Sequence, residues 1–185
     1  AVELLTGILI ALAYMQEGLS FYLPSYFFLM SVLVVIAAYD IRHKIIPNDL
    51  AFLFSGVALI LALHSWLYGS GTTFLDVLAG VLLAIPFAAL WLFSRGKWIG
   101  LGDAKLVLGI GFLLGLAHGI SAVVLAFWIG ALWSIGLLAV SHIHPRIRRV
   151  TMKSEIPFGP FLIVATLLVF FLGWDVMNLS SMFGI

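Results

Sequence analysis

Two things are scarce in this sequence: thiols and charges. The 185 residues include no cysteine, which excludes disulfide bonds, cysteine-ligated zinc and a cysteine nucleophile. Only 9% of the residues are charged, whereas a soluble domain carries about 25%, so the chain cannot cover a water-facing surface. The net charge of +1 does not indicate a nucleic-acid-binding surface. A cleavable signal peptide would begin with a basic stretch before its apolar segment, and this sequence has no such stretch.

Long apolar runs take the place of the missing charges, since 64% of the residues are hydrophobic. They form seven segments, at roughly 3–16, 21–42, 50–67, 74–94, 103–117, 119–141 and 157–178. A spanning helix needs about 20 residues, and the first, third and fifth segments are shorter. Unpaired backbone groups are costly in lipid and no barrel-like alternation is present, so the segments are expected to be helical. The sequence predicts an all-α integral membrane protein, a polytopic bundle of about six to seven transmembrane helices in one domain, 1–185.

The basic residues are distributed unevenly among the loops. If the N-terminus is cytoplasmic and each segment crosses once, the inner loops are 43–49, 95–102 and 142–156. These loops and the adjoining helix ends hold all nine Lys and Arg residues, and the outer loops hold none. Cytoplasmic loops are enriched in Lys and Arg, so this pattern supports both the segment count and a cytoplasmic N-terminus.

Most of the eight acids have a simple structural explanation. Four lie at segment ends near an interface, where solvated or helix-end roles are expected: Glu3, Glu17, Asp76 and Asp175. Asn48 or Asp49 is expected to cap the third helix, and Glu155 to pair within its basic loop. Two acids, Asp40 and Asp103, remain.

Asp40 and Asp103 are each open to two interpretations. Asp40 ends the second segment, where the helix dipole opposes a carboxylate, so it requires either a basic partner such as Arg42 or Lys44 or a function. Asp103 follows a Gly-Leu-Gly turn, and a helix N-cap would explain it on its own.

The predicted topology places both acids at one depth, just inside the cytoplasmic boundary. Two carboxylates that face one another cannot both ionise easily, so they share a proton. One then takes a proton from water while the other polarises a scissile carbonyl, which is the chemistry of an aspartic protease. The dipole argument assigns Asp103, at a helix N-terminus, as the base and Asp40, at a C-terminus, as the acid.

The candidates for substrate contact around this pair are Gly100, Gly102, Lys105, Pro157, Phe158 and Gly159. The two glycines before Asp103 allow a substrate strand to approach the backbone. The lysine holds a substrate carboxylate or a lipid phosphate, or else it snorkels at the interface. The last three residues are expected to form a helix start, with a wall of the site that orders the substrate strand as the alternative. No metal site is expected, because His142 and His144 lack a third ligand.

Four blocks of the sequence together resemble one family. Gly100-Leu101-Gly102-Asp103 is the GxGD signature of intramembrane-type aspartic proteases. YDIRHKIIPND, residues 39–49, resembles the first-aspartate motif of type IV prepilin peptidases, and a separation of 63 residues between the two aspartates suits that family. EIPFGPFL at 155–162 and VELLTG at 2–7 resemble further blocks, so the resemblance covers essentially the whole chain.

The resemblance implies a membrane-embedded aspartic endopeptidase of the bacterial inner membrane, with its active site on the cytoplasmic side. Its partners would be type IV prepilins and type II secretion pseudopilins. It would remove their short basic leaders after a glycine that precedes the hydrophobic stem helix, with Asp40 and Asp103 as the catalytic pair and without a cofactor.

Many members of the family also N-methylate the new N-terminus with S-adenosylmethionine, and they carry an N-terminal cytoplasmic domain that often holds a four-cysteine zinc module. These 185 residues include no cysteine and no such domain. The chain is therefore either a naturally short form or part of a longer protein, and methylation would need a domain elsewhere.

Three other functions remain open from the residues. A preflagellin peptidase shares the GxGD signature. A transporter would place its acids near the bilayer midplane, in discontinuous helices with internal repeats, and no repeat is seen. A non-catalytic membrane scaffold would tolerate loss of either aspartate. Lipid contact is expected in every case, and the oligomeric state is left open.

Overall fold

The structure, a computed structural model, describes residues 2–20, 22–69, 71–143 and 157–176, and all the regular elements in these ranges are α-helices. They are α1 Val2–Glu17, α2 Leu23–His43, α3 Asn48–Leu67, α4 Phe74–Ser94, α5 Leu101–Ile143 and α6 Gly159–Leu172. By length and composition α2, α3, α4 and α5 are able to cross a membrane, and α1 and α6 are shorter apolar helices. The predicted all-α, multi-pass membrane fold is confirmed.

The long helix α5 reverses direction in its middle. Its Gly115 has φ 76° and ψ −174°, which is not helical. A Cβ on Gly119 would lie 3.6 Å from the Cα of Gly111, whereas eight residues of a continuous helix span about 12 Å. Asp103 and Phe127, each twelve residues from the break, line the same cavity. α5 thus supplies the two antiparallel segments expected at 103–117 and 119–141.

The predicted segments 103–117 and 119–141 placed this turn near residue 118, whereas the structure places it at Gly115. A glycine suits the positive φ of the break. The backbone N–H of Leu116 donates to Oδ1 of Asp76 at 2.9 Å, so this carboxylate caps the second arm of α5. Asp76 also closes a capping box with Thr73 at the start of α4. The predicted helix-end role of Asp76 is confirmed, and Asp76 caps two helical segments, the start of α4 and the second arm of α5.

Close packing between α4 and the first arm of α5 depends on facing glycines. A Cβ on Gly111 would lie 2.6 Å from the Cα of Gly80 and 2.7 Å from the carbonyl oxygen of Ala79. A Cβ on Gly109 would overlap the ring of Phe54, which is fully buried on α3. Gly111 therefore lets α5 pack against the backbone of α4, and Gly109 makes room for a side chain of α3.

Two sequence expectations about helix ends are wrong. α3 begins at Asn48, and Pro47, which has no side-chain acceptor, occupies the N-cap position, so neither Asn48 nor Asp49 caps the helix. The Asn48 amide oxygen accepts a hydrogen bond from Lys105. α6 ends at Leu172, where Gly173 in the left-handed region closes it, short of the predicted end at 178. The basic loop, Glu155, His144 and the side chain of His142 lie outside the described residues.

The α4–α5 contact predicts opposite effects for two Gly→Ala changes in α5. Gly111→Ala should lower the free energy of unfolding by about 1–3 kcal/mol, because the methyl group would overlap the α4 backbone. Gly136→Ala is the matched control, since its Cβ would meet nothing within 4 Å and alanine favours a helix by about 1 kcal/mol. Reversible unfolding in mixed detergent micelles measures both, and equal effects would contradict the close contact.

Candidate active site

A cavity of about 600 Å³ opens at the end of the bundle where α2 ends and α5 and α6 begin. Of the predicted site residues it is lined by Asp40, Gly100, Gly102, Asp103, Lys105, Pro157 and Phe158. The remaining one, Gly159, lies directly against the Asp40 carboxylate. The structure therefore brings together at one end residues from three distant parts of the chain.

Asp40 lies in the last turn of α2 and is only 4% exposed. The dipole of its own helix is unfavourable for a carboxylate there. The backbone N–H of Gly159, the first residue of α6, donates a hydrogen bond to this carboxylate. The N-terminus of α6 thus supplies a partner for Asp40, in addition to the two interpretations that the sequence left open, a basic partner or a function.

Gly159 has no room for a side chain. A Cβ at this position would overlap Oδ2 of Asp40 and would lie 3.3 Å from Cδ1 of Ile46. The amide of Gly159 reaches the carboxylate because its Cα is able to pack directly on it. The sequence offered this residue as part of a helix start or, alternatively, of a site wall, and the structure gives it a specific contact with Asp40.

Asp103 is the third residue of α5, so it is not the helix N-cap that its sequence context also allowed. Its carboxylate turns back and accepts a hydrogen bond from the backbone N–H of Gly100, the residue before the helix. This is the second half of a capping box, in which a side chain at the third helical position satisfies the N-cap amide. The glycine turn and the acid form one local unit.

The carboxylates of Asp40 and Asp103 lie close enough for their charges to interact. Their negative charges would repel each other if both were ionised. Each carboxylate also faces the N-terminus of a helix, α6 for Asp40 and α5 for Asp103. The dipole argument that assigned Asp103 as base and Asp40 as acid depended on Asp40 facing only a C-terminus, so it no longer separates the two roles.

Lys105 lies at the mouth of the cavity and is held by α3. Its Nζ donates to the Asn48 amide oxygen at 2.7 Å and lies 5.1 Å from the centroid of the Phe52 ring. This arrangement ties α5 to the start of α3. The sequence left two interpretations of Lys105 open, a contact with the substrate or a lipid phosphate, and a side chain that snorkels at the interface. The structure shows a hydrogen bond to Asn48, which neither interpretation included.

An aromatic cluster forms the apolar wall of the cavity. Phe158 packs against Phe127 of the second arm of α5, with ring centroids 4.8 Å apart, and against Phe87 of α4 at 6.4 Å. Pro160 follows Gly159 in the first turn of α6. The segment from Pro157 is therefore both a helix start and a wall of the site, so the two interpretations of it are compatible.

Ile46 is one of the cavity residues to which the sequence analysis gave no role, as is Phe127. It is 7% exposed and lies in the short connection between α2 and α3. A Cβ on Gly102 would be 2.9 Å from the Cβ of Ile46. Its place in the IIPND element marked it as part of a motif, but only the structure shows what it contacts.

The fold and the cavity define a multi-pass α-helical membrane protein with a pair of aspartates at one end of its bundle. The model of the type IV leader peptidase family matches residues 27–135, more than half of the chain and the part that includes both aspartates. The chain belongs to this family.

Curated relatives carry the name prepilin leader peptidase/N-methyltransferase. The protein of Bacillus subtilis (strain 168) is 29% identical over 182 residues, which cover 96% of this chain and 67% of the relative. That of Xanthomonas campestris pv. campestris is 29% identical over 96% of this chain and 60% of the relative, and that of Legionella pneumophila is 27% identical over the same shares. The chain spans about two thirds or less of the length of these relatives. No solved structure matches it.

The contact between Gly159 and Asp40 predicts an energetic coupling that is measurable without an activity assay. Gly159→Ala should destabilise the protein by about 1–3 kcal/mol, because its methyl group overlaps the Asp40 carboxylate. In an Asp40→Ala background this loss should shrink, giving a coupling energy of about 0.5–3 kcal/mol in a double-mutant cycle. Gly56→Ala on α3, whose Cβ meets nothing within 4 Å, is the control and should show no coupling.

Proposed function

We propose that this chain is an aspartic endopeptidase that removes the leader peptide of type IV prepilins and related pseudopilins at the cytoplasmic face of the bacterial inner membrane. The observation that carries the proposal is the meeting of Asp40 and Asp103 in one cavity at the end of an apolar helical bundle. Family membership and the name of the relatives support leader cleavage as the reaction.

The paired carboxylates supply both halves of a peptide hydrolysis. One is ionised and takes a proton from a water molecule, while the other is protonated and donates a hydrogen bond to the scissile carbonyl oxygen. The water oxygen bonds to the carbonyl carbon, and the resulting tetrahedral intermediate collapses as the C–N bond breaks. The proton taken from water passes to the departing amine, so the pair returns to its starting state.

The glycine turn before Asp103 is suited to hold the substrate backbone. Gly100 and Gly102 border the cavity without side chains, so an extended peptide is able to lie close to the turn. The apolar wall formed by Phe158 and Phe127 borders the same cavity. We infer that the leader crosses the turn while the apolar part of the substrate stays in lipid.

The orientation of the bundle follows from its charges. The basic residues of the described helix ends and loops lie at the cavity end of the bundle: Arg42, Lys44, Arg95, Lys97 and Lys105. The opposite loops, near 18–20 and 68–73, contain none. Because cytoplasmic loops are enriched in Lys and Arg, we infer that the cavity faces the cytoplasm and that the N-terminus of α1 lies on the same side.

We propose that cleavage by this chain needs no cofactor and that N-methylation, which the relatives' name includes, is not performed by the described cavity. The carboxylate pair is sufficient for hydrolysis as written above. Methyl transfer from S-adenosylmethionine would require a separate binding site, which in a longer protein would be provided by another domain.

Replacing either aspartate should abolish cleavage of a detergent-solubilised prepilin. Asp40→Asn and Asp103→Asn should each lower kcat by at least about 100-fold, because an amide neither accepts the proton from water nor shares it with the remaining carboxylate. Asp49→Asn is the matched control, since Asp49 is exposed in the first turn of α3, close to the same face. Mass spectrometry of the products also locates the cut, which should follow a glycine before the apolar stem. Undiminished cleavage by a folded Asp40 or Asp103 variant would remove that residue from the mechanism.

The absence of cysteine makes the proposed orientation directly testable. In intact cells, a membrane-impermeant maleimide should label Leu19→Cys, which is 89% exposed in the α1–α2 connection. It should label His43→Cys, exposed at the cavity end, only after the cells are opened. The reverse pattern would place the cavity outside the cytoplasm.

A further inference from the structure

The connection between α2 and α3 contains one buried side chain among exposed neighbours. Ile46 is 7% exposed, whereas Ile45 is 64% exposed and Lys44 is also exposed. The connection is fixed at its far end, because Asn48 accepts the hydrogen bond from Lys105 of α5. Ile46 is thus held at a defined place between the ends of three helices.

One side of Ile46 packs against the turn that precedes Asp103. A Cβ on Gly102 would lie 2.9 Å from the Cβ of Ile46, closer than two side-chain carbons come together, and 3.5 Å from its Cγ1 and Cδ1 atoms. The isoleucine therefore rests directly on the backbone of the GxGD turn. Any shift of its side chain moves or releases the residue next to Asp103.

The other side of Ile46 reaches the start of α6. Its Cδ1 would lie 3.3 Å from a Cβ on Gly159, and Gly159 is the residue whose N–H donates to Asp40. A single side chain therefore contacts both glycines, one beside each aspartate. Isoleucine suits such a spacer, because branching at Cβ restricts its χ1 rotation.

We propose that Ile46 is a positioning residue that sets the separation of the Asp40 and Asp103 carboxylates. The proposal rests on the peptidase function for its effect on catalysis, and on geometry alone for its effect on separation. Ile46 touches neither the water nor the scissile bond. It acts through the two glycine backbones, as a spacer between the turn of α5 and the N-terminus of α6.

The kinetic test compares Ile46 with an isoleucine that is buried but remote from the site. Ile110 on α5 is fully buried and does not line the cavity, so Ile110→Val and Ile110→Ala are the matched controls. Ile46→Ala should lower kcat about 10–100-fold with little change in KM, since a misplacement of about 1 Å in a catalytic group has effects of this size. Ile46→Val removes only Cδ1 and should give a smaller loss. Both Ile→Ala variants should lose thermal stability, but the Ile110 variants should keep kcat.

A second measurement reports the separation without any peptidase activity. In the cysteine-free chain, the double variant Asp40→Cys/Asp103→Cys is cross-linked with bis-maleimide reagents of graded length, each of which adds one cysteine thiol to each of its two maleimides. Adding Ile46→Ala should shift or broaden the linker length that reacts fastest, and adding Ile110→Ala should not.

The outcomes separate this proposal from the proposed function. An unchanged cross-linking profile with Ile46→Ala, or full kcat in folded Ile46→Ala and Ile46→Val, would overturn the role of Ile46. If Ile46→Ala does not fold, Ile46→Val decides both tests. Failure of the unmodified chain to cleave prepilins would instead refute the peptidase function, and the cross-linking profile would still decide the spacer role.

Discussion

The burial of one carboxylate at the end of a helix is the constraint on which the rest of the structure depends. Asp40 is 4% exposed at the C-terminal end of α2, where its own helix disfavours a negative charge. An amide donor is therefore needed, and Gly159 at the N-terminus of α6 provides it. The contact in turn forbids a side chain at residue 159 and fixes where α6 begins.

The reversal in α5 is what allows α6 to begin at that place. The first arm of α5 leaves the site at Asp103, so an unbroken helix would carry the chain to the opposite end of the bundle. The break at Gly115 returns the second arm to the cavity, where Phe127 packs on Phe158. Asp76 caps the returning arm at the far end, and this role accounts for an acid in a second, smaller cavity of about 280 Å³ there. Asp76 thus serves the fold, whereas Asp40 and Asp103 border the larger cavity at the other end of the bundle.

The position of the site along the bundle agrees with a hydrolytic reaction. The aspartates lie at a helix end and border a cavity of about 600 Å³, rather than at the middle of the spans where a transporter would hold its ions. A site at this level admits water from one side and an apolar substrate segment from the lipid. The close α4–α5 contact and the Lys105–Asn48 hydrogen bond join helices of the bundle around this cavity.

The sequence by itself determined the membrane class, the succession of helical segments and the common level of Asp40 and Asp103. These features depend on composition, on the length of apolar runs and on the asymmetry of basic loops, all of which are local or additive properties. The family resemblance rested on the GxGD and IIPND motifs in the same way. Prediction of helix ends was less successful. The N-cap position of α3 is occupied by Pro47 rather than by Asn48, and α6 ends at Leu172 rather than near residue 178.

Only the tertiary structure decided how the acids are held. The amide donor of Asp40 comes from Gly159, more than one hundred residues away, and the backbone of Asp103 rests on Ile46 through Gly102. The periodicity of a sequence does not predict such contacts, because they depend on which helix ends lie next to each other in the fold. The same geometry gave both carboxylates a helix N-terminus, and it thereby removed the local dipole argument that had assigned acid and base from the sequence.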